Sequence, residues 1–361
     1  MQNDDLVREH SYSDIIANTK VAIIGPLPPP LGGVSVHVQR TIQKLKRQGN
    51  VVVQYDPESI YPFAWLRMPG IKYGAYVWYM VKLCIWLIRM RPQVMIYHNF
   101  YARTIVPELL LMRMIKRVFV SKVILVEHDC RHMYSRTISW IKEYSRLLTT
   151  VDHLVLIGSV TAHSYRTHAI TMPSCTSIES AFLPPDIARQ ADSMAAYPHT
   201  LINFLHTHTP TVLVSAFECV IWQGKDLYGL DQAIAVCTML HREYPCIGLV
   251  IVLGMIGNRD YYQRLRTLIE QYELQHSVYV LHGNYILWPL FVHVDIFIRP
   301  TLSDGASVSV QEALFCGVPT IASDVCWRPH GAVLYKTSDS ADLYIRIQQV
   351  LTQKGYTHGD K

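Results

Sequence analysis

The sequence predicts an α/β protein built from two doubly wound, Rossmann-like domains, and three observations carry that expectation. The chain has 361 residues, more than one ordinary domain needs. Short β-branched and aliphatic runs alternate with helical stretches in both halves, the pattern of parallel sheets covered by helices. Between the halves, Leu183 to Pro210 is rich in proline, histidine and threonine and lacks periodicity, so it reads as a connection. The expected division is an N-terminal domain at 20–195 and a C-terminal domain at 205–361. Residues 1–19 are polar and acidic, carry no secretory signal, and are expected to fray.

Taken in order, Lys20 to Gly25 is a buried first strand that runs into a proline- and glycine-rich turn ending at Gly32-Gly33. A helix from Val34 to Gln48 follows and stops at Gly49. Such a turn between first strand and first helix is where open α/β sheets bind phosphates. Val51 to Tyr55 is the second strand. Gln93 to Tyr97 and Val123 to Val126 are further strands, ending in His98-Asn99 and Glu127-His128-Asp129. Polar residues just past strand C-termini lie on the ligand-binding edge of a doubly wound sheet. Val151 to Gly158 is another strand. Alternation restarts with strand Thr211–Phe217, helix Leu230–Glu243, strand Ile247–Leu253, helix Tyr261–Tyr272 and strand Ser277–Leu281, and the last helix is Ser340–Leu351.

The most informative stretch is Arg299 to Asp324, R-P-T-L-S-D-G-A-S-V-S-V-Q-E-A-L-F-C-G-V-P-T-I-A-S-D. The apolar run Val294 to Ile298 reads as a strand halted by Pro300. Ser307 to Cys316 reads as a helix capped by Gly317, and Val318 to Ser323 as the next strand. A strand that breaks into Asp-Gly-Ala-Ser and opens a helix gathers free backbone N–H groups, which favour an anion. Asp304 in the loop and Glu312 two turns down the helix are carboxylates that repel phosphate, so they suit sugar hydroxyls flanking a diphosphate.

Acid-x7-acid followed by A-L-x-x-G-V-P-x-I-A-S resembles the donor-site signature of retaining glycosyltransferases of family 4, which have the GT-B fold. The resemblance implies two Rossmann-like domains facing each other across a cleft. It also implies that Glu312 holds the nucleotide ribose, that Asp304 contacts the transferred sugar, and that Gly305, Ala306 and Ser307 form the amide cradle. P-P-x-x-G-G-V-x-x-H-V is similar to the family's first loop, which assigns Gly32 and Gly33 to donor diphosphate and acceptor. A histidine placed like His128 lies beside the transferred sugar in the family.

Two departures stand out. Most members have Glu where this chain has Asp304. The family's Gly-Arg and Lys-Gly cations are also missing from Ala216 to Asp231, and Tyr228 stands in the lysine's place. Lys225, Arg299 and Arg328 are the candidate replacements at the diphosphate.

The resemblance implies transfer of a sugar from a UDP- or GDP-linked donor to an acceptor hydroxyl with retained configuration. The enzyme would be of hexosyltransferase type, without a metal or other cofactor. The expected acceptor is a lipid-linked glycan in polysaccharide or glycolipid assembly. A sugar-nucleotide epimerase and a catalytically degenerate GT-B scaffold are the rival readings.

Composition bounds the partners. No apolar run reaches the ~18 residues of a membrane span; Tyr76 to Ile88 comes nearest and carries Lys82. The 8 cysteines show no C-x-x-C pair and the 17 histidines no H-E-x-x-H, which fits reduced thiols of a cytoplasmic protein. Residues 1–200 hold 22 Lys/Arg against 14 Asp/Glu, whereas 201–361 hold 11 against 14. A basic first half suits an anionic surface. Within it, Ile60 to Arg91 mixes Trp and Tyr with Lys and Arg, and Arg103 to Lys122 sets Arg113, Lys116 and Arg117 around an apolar core. Such segments fit interfacial helices on the inner face of an anionic membrane, or core helices whose basic stems snorkel. Phospholipid is preferred to nucleic acid as the anionic partner.

Overall fold

The computed structural model describes residues 12, 16–28, 33–56, 72–98, 105–128, 137–187, 193–304 and 307–356. The chain divides into two compact units, with the break between Leu183 and Pro184.

The first unit alternates strand and helix: β1 (Lys20–Ile24), α1 (Gly33–Arg47), β2 (Val51–Tyr55), α2 (Lys72–Met90), β3 (Val94–His98), α3 (Ile105–Val118), β4 (Lys122–Glu127), α4 (Ile138–Leu148), β5 (His153–Ile157), α5 (Ser159–Thr167) and β6 (Thr176–Glu179). The strands form one six-stranded sheet in the order β2-β1-β3-β4-β5-β6, and every pair is parallel. Parallel strands are covered on both faces, which explains why β3, β4 and β5 are apolar runs with nearly every residue buried. On one face, α2, α3, α4 and α5 pack through Leu83, Met112, Tyr144 and Tyr165. On the other, α1 packs through Val38, Ile42 and Leu45. Tyr12 and Ile16 are buried there as well, although the stretch before residue 20 reads as one that frays. The cause is apolar contact together with a hydrogen bond from the Tyr12 N–H to Glu179 Oε1 at 2.7 Å. Residues 1–11, 13–15 and 57–71, Asn99 and Asp129 lie outside the described residues.

The second unit opens with α6 (His199–Thr207), inside the stretch that reads as a connection. Leu201 and Phe204 lie three residues apart and are buried, and that helical spacing is hard to see among so many His and Thr. Next come β7 (Thr211–Ala216), a short antiparallel pair β8 (Ile221–Trp222) and β9 (Lys225–Asp226), α7 (Leu230–His241), β10 (Gly248–Leu253), α8 (Arg259–Gln271) and β11 (Val278–His282). A 3-10 turn at Trp288–His293 leads to β12 (Ile296–Arg299), α9 (Val308–Phe315), β13 (Thr320–Ser323), β14 (Val333–Tyr335) and α10 (Ser340–Gln353). The six-stranded parallel sheet runs β11-β10-β7-β12-β13-β14. Helices α7, α8 and α10 cover one face, and α6, α9 and the 3-10 turn cover the other.

Strand order reverses between β1 and β3 in the first sheet and between β7 and β12 in the second. At such a switch point the flanking helices leave on opposite faces, so a crevice opens at the strand C-termini and ligands bind there.

Candidate functional site

In the second unit the switch point is bridged by one side chain. Arg299, the last residue of β12, donates from Nη1 to the carbonyl of Ser215 on β7 at 3.0 Å. Its other edge grips Asp304, with Nε to Oδ2 at 3.0 Å and Nη2 to Oδ1 at 3.3 Å. Arg328 donates from Nη1 to the same Oδ2 at 2.8 Å, and from Nε to the Ser323 carbonyl at 3.0 Å. Asp304 therefore sits between two guanidinium groups, and all three side chains are at most 13% exposed. Burial works against the Asp304 carboxylate, but Arg299 and then Arg328 outweigh it and hold its pKa below the usual range. The cluster carries one net positive charge at the C-terminal edge of the sheet.

An aromatic ring from the loop after β9 joins the cluster. The Arg299 guanidinium lies over the ring of Tyr228, 5.2 Å from its centroid, in a cation–π contact. Backbone geometry holds the two together. Gly229 has φ +68°, and a Cβ added there would meet the Pro300 carbonyl oxygen at 2.2 Å. The Leu302 N–H and the Thr301 hydroxyl both donate to the Leu227 carbonyl at 2.8 Å. Asp226 is buried beneath this loop and accepts from the N–H groups of Tyr228 and Leu230. By contrast, Lys225 is exposed on the β8–β9 hairpin, so only Arg299 and Arg328 join the acidic residue.

Helix α9 starts beside this cluster. Glu312 is buried within it, only 5% exposed, and its charge is one cause, after burial, of the raised Tyr197 pKa. Ser307 precedes the helix, and its buried Oγ has no hydrogen-bond partner. A buried hydroxyl left unpaired is costly, and a ligand atom would relieve it. Gly305 and Ala306 lie outside the described residues.

The first unit's switch point gathers histidines. Gly25 follows β1 and lies so close to β3 that an added Cβ would meet His98 Cβ at 2.9 Å. His98 Nδ1 and His128 Nε2 are 3.0 Å apart, so the two strand ends converge through one hydrogen bond. His37 on α1 completes the group, with its ring centroid 4.7 Å from that of His128. Reading strand ends alone does not single out His37; the G-G-V-x-x-H run, which sets it four residues after Gly33, holds the signal. The His37 ring and the Ala181 carbonyl are 3.1 Å apart, while its Nε2 and that of His98 are buried without partners. Burial pushes His37 down to about 4, with the Arg40 charge adding to it. Burial and the neighbouring histidines also drop His98 and His128 well below the ordinary value. These rings are neutral near pH 7 and can exchange hydrogen bonds with a sugar hydroxyl without adding charge. Gly33 is the first residue of α1, and Gly32 lies outside the described residues. Among the described residues, no three His, Cys, Asp or Glu side chains are placed to hold a metal ion.

Comparison with known proteins agrees with this architecture. Residues 223–354 match the family model described as Glycosyl transferases group 1. No curated protein sequence matches the chain. Among solved structures, sucrose-phosphate synthase from Thermosynechococcus elongatus is 14% identical, with a TM-score of 0.61 over 94% of this chain and 91% of that one. A glycosyltransferase from Rickettsia africae is 13% identical, with a TM-score of 0.62 over 94% and 89%. HepE of Anabaena, solved with UDP and glucose, is 12% identical, with a TM-score of 0.60 over 93% and 91%. The chain thus has the two-domain α/β fold of GT-B transferases, and its second unit carries the group 1 glycosyl transferase match.

Proposed function

We propose that this protein is a retaining glycosyltransferase of family 4 that moves a hexose from a UDP- or GDP-linked donor to an acceptor hydroxyl. The single observation that carries the reading is the Arg299–Asp304–Arg328 cluster at the β7/β12 switch point, directly before α9 and its buried Glu312. Glu312 takes the ribose hydroxyls. Arg299, Arg328 and the amides opening α9 face the diphosphate, where negative charge grows as the sugar bond breaks. Those groups supply the stabilisation that a metal supplies in other transferases. Asp304 meets the sugar end and also fixes both guanidinium groups in place. The departing phosphate takes the acceptor proton, so no dedicated base is required. His128, with His98 beside it, offers a neutral imidazole to the transferred sugar. The basic first half favours a lipid-linked glycan acceptor in polysaccharide or glycolipid assembly, reached at the inner face of the cytoplasmic membrane.

Titration calorimetry with UDP and GDP tests the donor site. One of them binds the wild type, and Glu312→Ala weakens that binding by about 1.5–3 kcal/mol per hydrogen bond lost. Equal affinity in the variant removes Glu312 from the site. Nucleotide binding without sugar transfer to any acceptor tried would favour the scaffold reading, and free altered sugar without an acceptor would favour the epimerase.

A further inference from the structure

Helices α2 and α3 each bury one side on the same sheet face and leave the other side apolar. Tyr79, Leu83 and Leu87 of α2, and Leu109, Met112 and Ile115 of α3, belong to one core cluster. They are tied across β3 as well, because the Tyr79 and Tyr97 hydroxyls are 2.9 Å apart and Tyr97 donates to Glu108 at 3.4 Å. The opposite side of α2 carries Trp78, Val81, Ile85 and Ile88, all exposed, at spacings of three and four residues. The opposite side of α3 carries Leu110, Met114 and Val118, of which Leu110 is 59% and Val118 62% exposed. Scattered exposed apolar residues are ordinary, but two ordered rows on neighbouring helices mark a binding face.

Charge says what the face meets. Lys82 and Arg89 lie exposed along the α2 row, with the Lys82 ammonium 5.1 Å from the Trp78 ring centroid. Arg113 and Arg117 lie exposed along the α3 row. Helix α2 contains no acidic residue, and the one acid of α3, Glu108, is buried. Lys116 is not part of this surface, since its ammonium pairs with Asp152 at 2.7 Å. A second copy of the chain related by a two-fold axis would set these cations against themselves. No described helix is long and apolar enough to cross a membrane. An apolar face edged by cations is the composition of a segment lying in the headgroup region of an anionic bilayer.

We propose that the outer faces of α2 and α3 together form a docking surface for an anionic phospholipid bilayer. The apolar rows enter the interface, and Lys82, Arg89, Arg113 and Arg117 meet lipid phosphates. The inference rests on the proposed lipid-linked acceptor for its purpose, whereas the binding itself is read without donor or acceptor.

The test is sedimentation of the full chain with phosphatidylglycerol-containing vesicles and with pure phosphatidylcholine vesicles, at low and high salt. The wild type pellets with the anionic vesicles, partly releases at high salt, and stays in solution with the neutral ones. Arg113→Glu with Arg117→Glu lowers anionic-vesicle affinity by about tenfold or more. Trp78→Ser with Ile85→Ser removes the salt-resistant part of the binding. Because the two variants alter different helices, misfolding of one, seen as a fallen thermal midpoint, leaves the other decisive. A wild type that stays in the supernatant overturns the proposal, as does equal binding to neutral vesicles or wild-type binding by both variants. A stable dimer in ultracentrifugation that Ile85→Ser dissociates would assign the face to a second copy instead. Vesicle binding without UDP or GDP binding would overturn the transferase reading and keep this surface; the reverse would overturn the surface alone.

Discussion

Asp304 accepts from two arginines that are almost fully shielded, and that arrangement dictates how its substitution behaves. Removing one partner of a buried ion pair leaves uncompensated charge, which costs about 3–5 kcal/mol. Asp304→Asn keeps the shape and deletes the charge, so the thermal midpoint of the protein should drop clearly. A midpoint within a degree or so of wild type would mean that solvent reaches the two guanidinium groups. Among the three candidate cations, Arg299 spans the switch point while Lys225 is exposed on a hairpin. Arg299→Ala should therefore cut turnover by about 100-fold, the scale of lost transition-state electrostatics, and Lys225→Ala should leave it near wild type. The reverse ranking in initial-rate assays would move the diphosphate away from β12. The histidines give a pH signature. His37 binds a proton in the unfolded chain near its ordinary value but in the folded protein only near 4. Its depressed pKa contributes stability that is present above that ordinary value and lost as pH falls toward 4, at about 1.4 kcal/mol per pH unit. Thermal midpoints measured from pH 7 to 5 should fall less steeply in His37→Gln than in the wild type. Parallel curves would place the acid sensitivity elsewhere.

At the scale of elements, the α7 N-terminus and the end of β12 are fitted to one another through Gly229 and Pro300. Gly229→Ala would force a Cβ onto a backbone carbonyl as well as impose a left-handed conformation on alanine. The strain should exceed the ~1 kcal/mol typical of the conformation alone, because Pro300 must also move. Tyr228 and Arg299 move with it, so UDP or GDP affinity should fall together with stability. If calorimetry shows the variant unstable but binding normally, the loop supports the fold and not the site. Helix α6 shows how an element hides. Its apolar stretch Leu201 to Leu205 is short and flanked on both sides by His and Thr, and Leu201 and Phe204 become a buried face through packing on the sheet with Val250, Val252 and Leu281.

Across the whole molecule, each unit has its own sheet and its own cores. A ligand that binds only the folded form stabilises by about 2.7 kcal/mol at a hundredfold excess over its Kd. With UDP or GDP held chiefly by the second unit, amide hydrogen exchange should slow most in β12, α9 and β13. Protection confined to β3 and β4 would place the nucleotide at the histidines instead.

The strand–helix alternation, the two parallel sheets apart from their edge strands β6 and β14, and the spacing of Asp304 and Glu312 were legible in the sequence by itself. They follow from local patterns: continuous apolar runs for strands covered on both faces, a helix opened by small residues, and carboxylates a fixed number of residues apart. The tertiary structure alone decided which groups meet. Arg299 and Tyr228 are far apart in the chain and come together because β12 lies beside β7, whose loop carries the tyrosine. His98 and His128 converge because β3 and β4 end side by side, and α1, which follows the adjoining β1, brings His37 to them. The basic, aromatic stretch of the first half left open a core helix and an interfacial one. In the fold α2 and α3 bury one side in the core and leave the other exposed, and a composition read along the chain does not separate two sides of a helix.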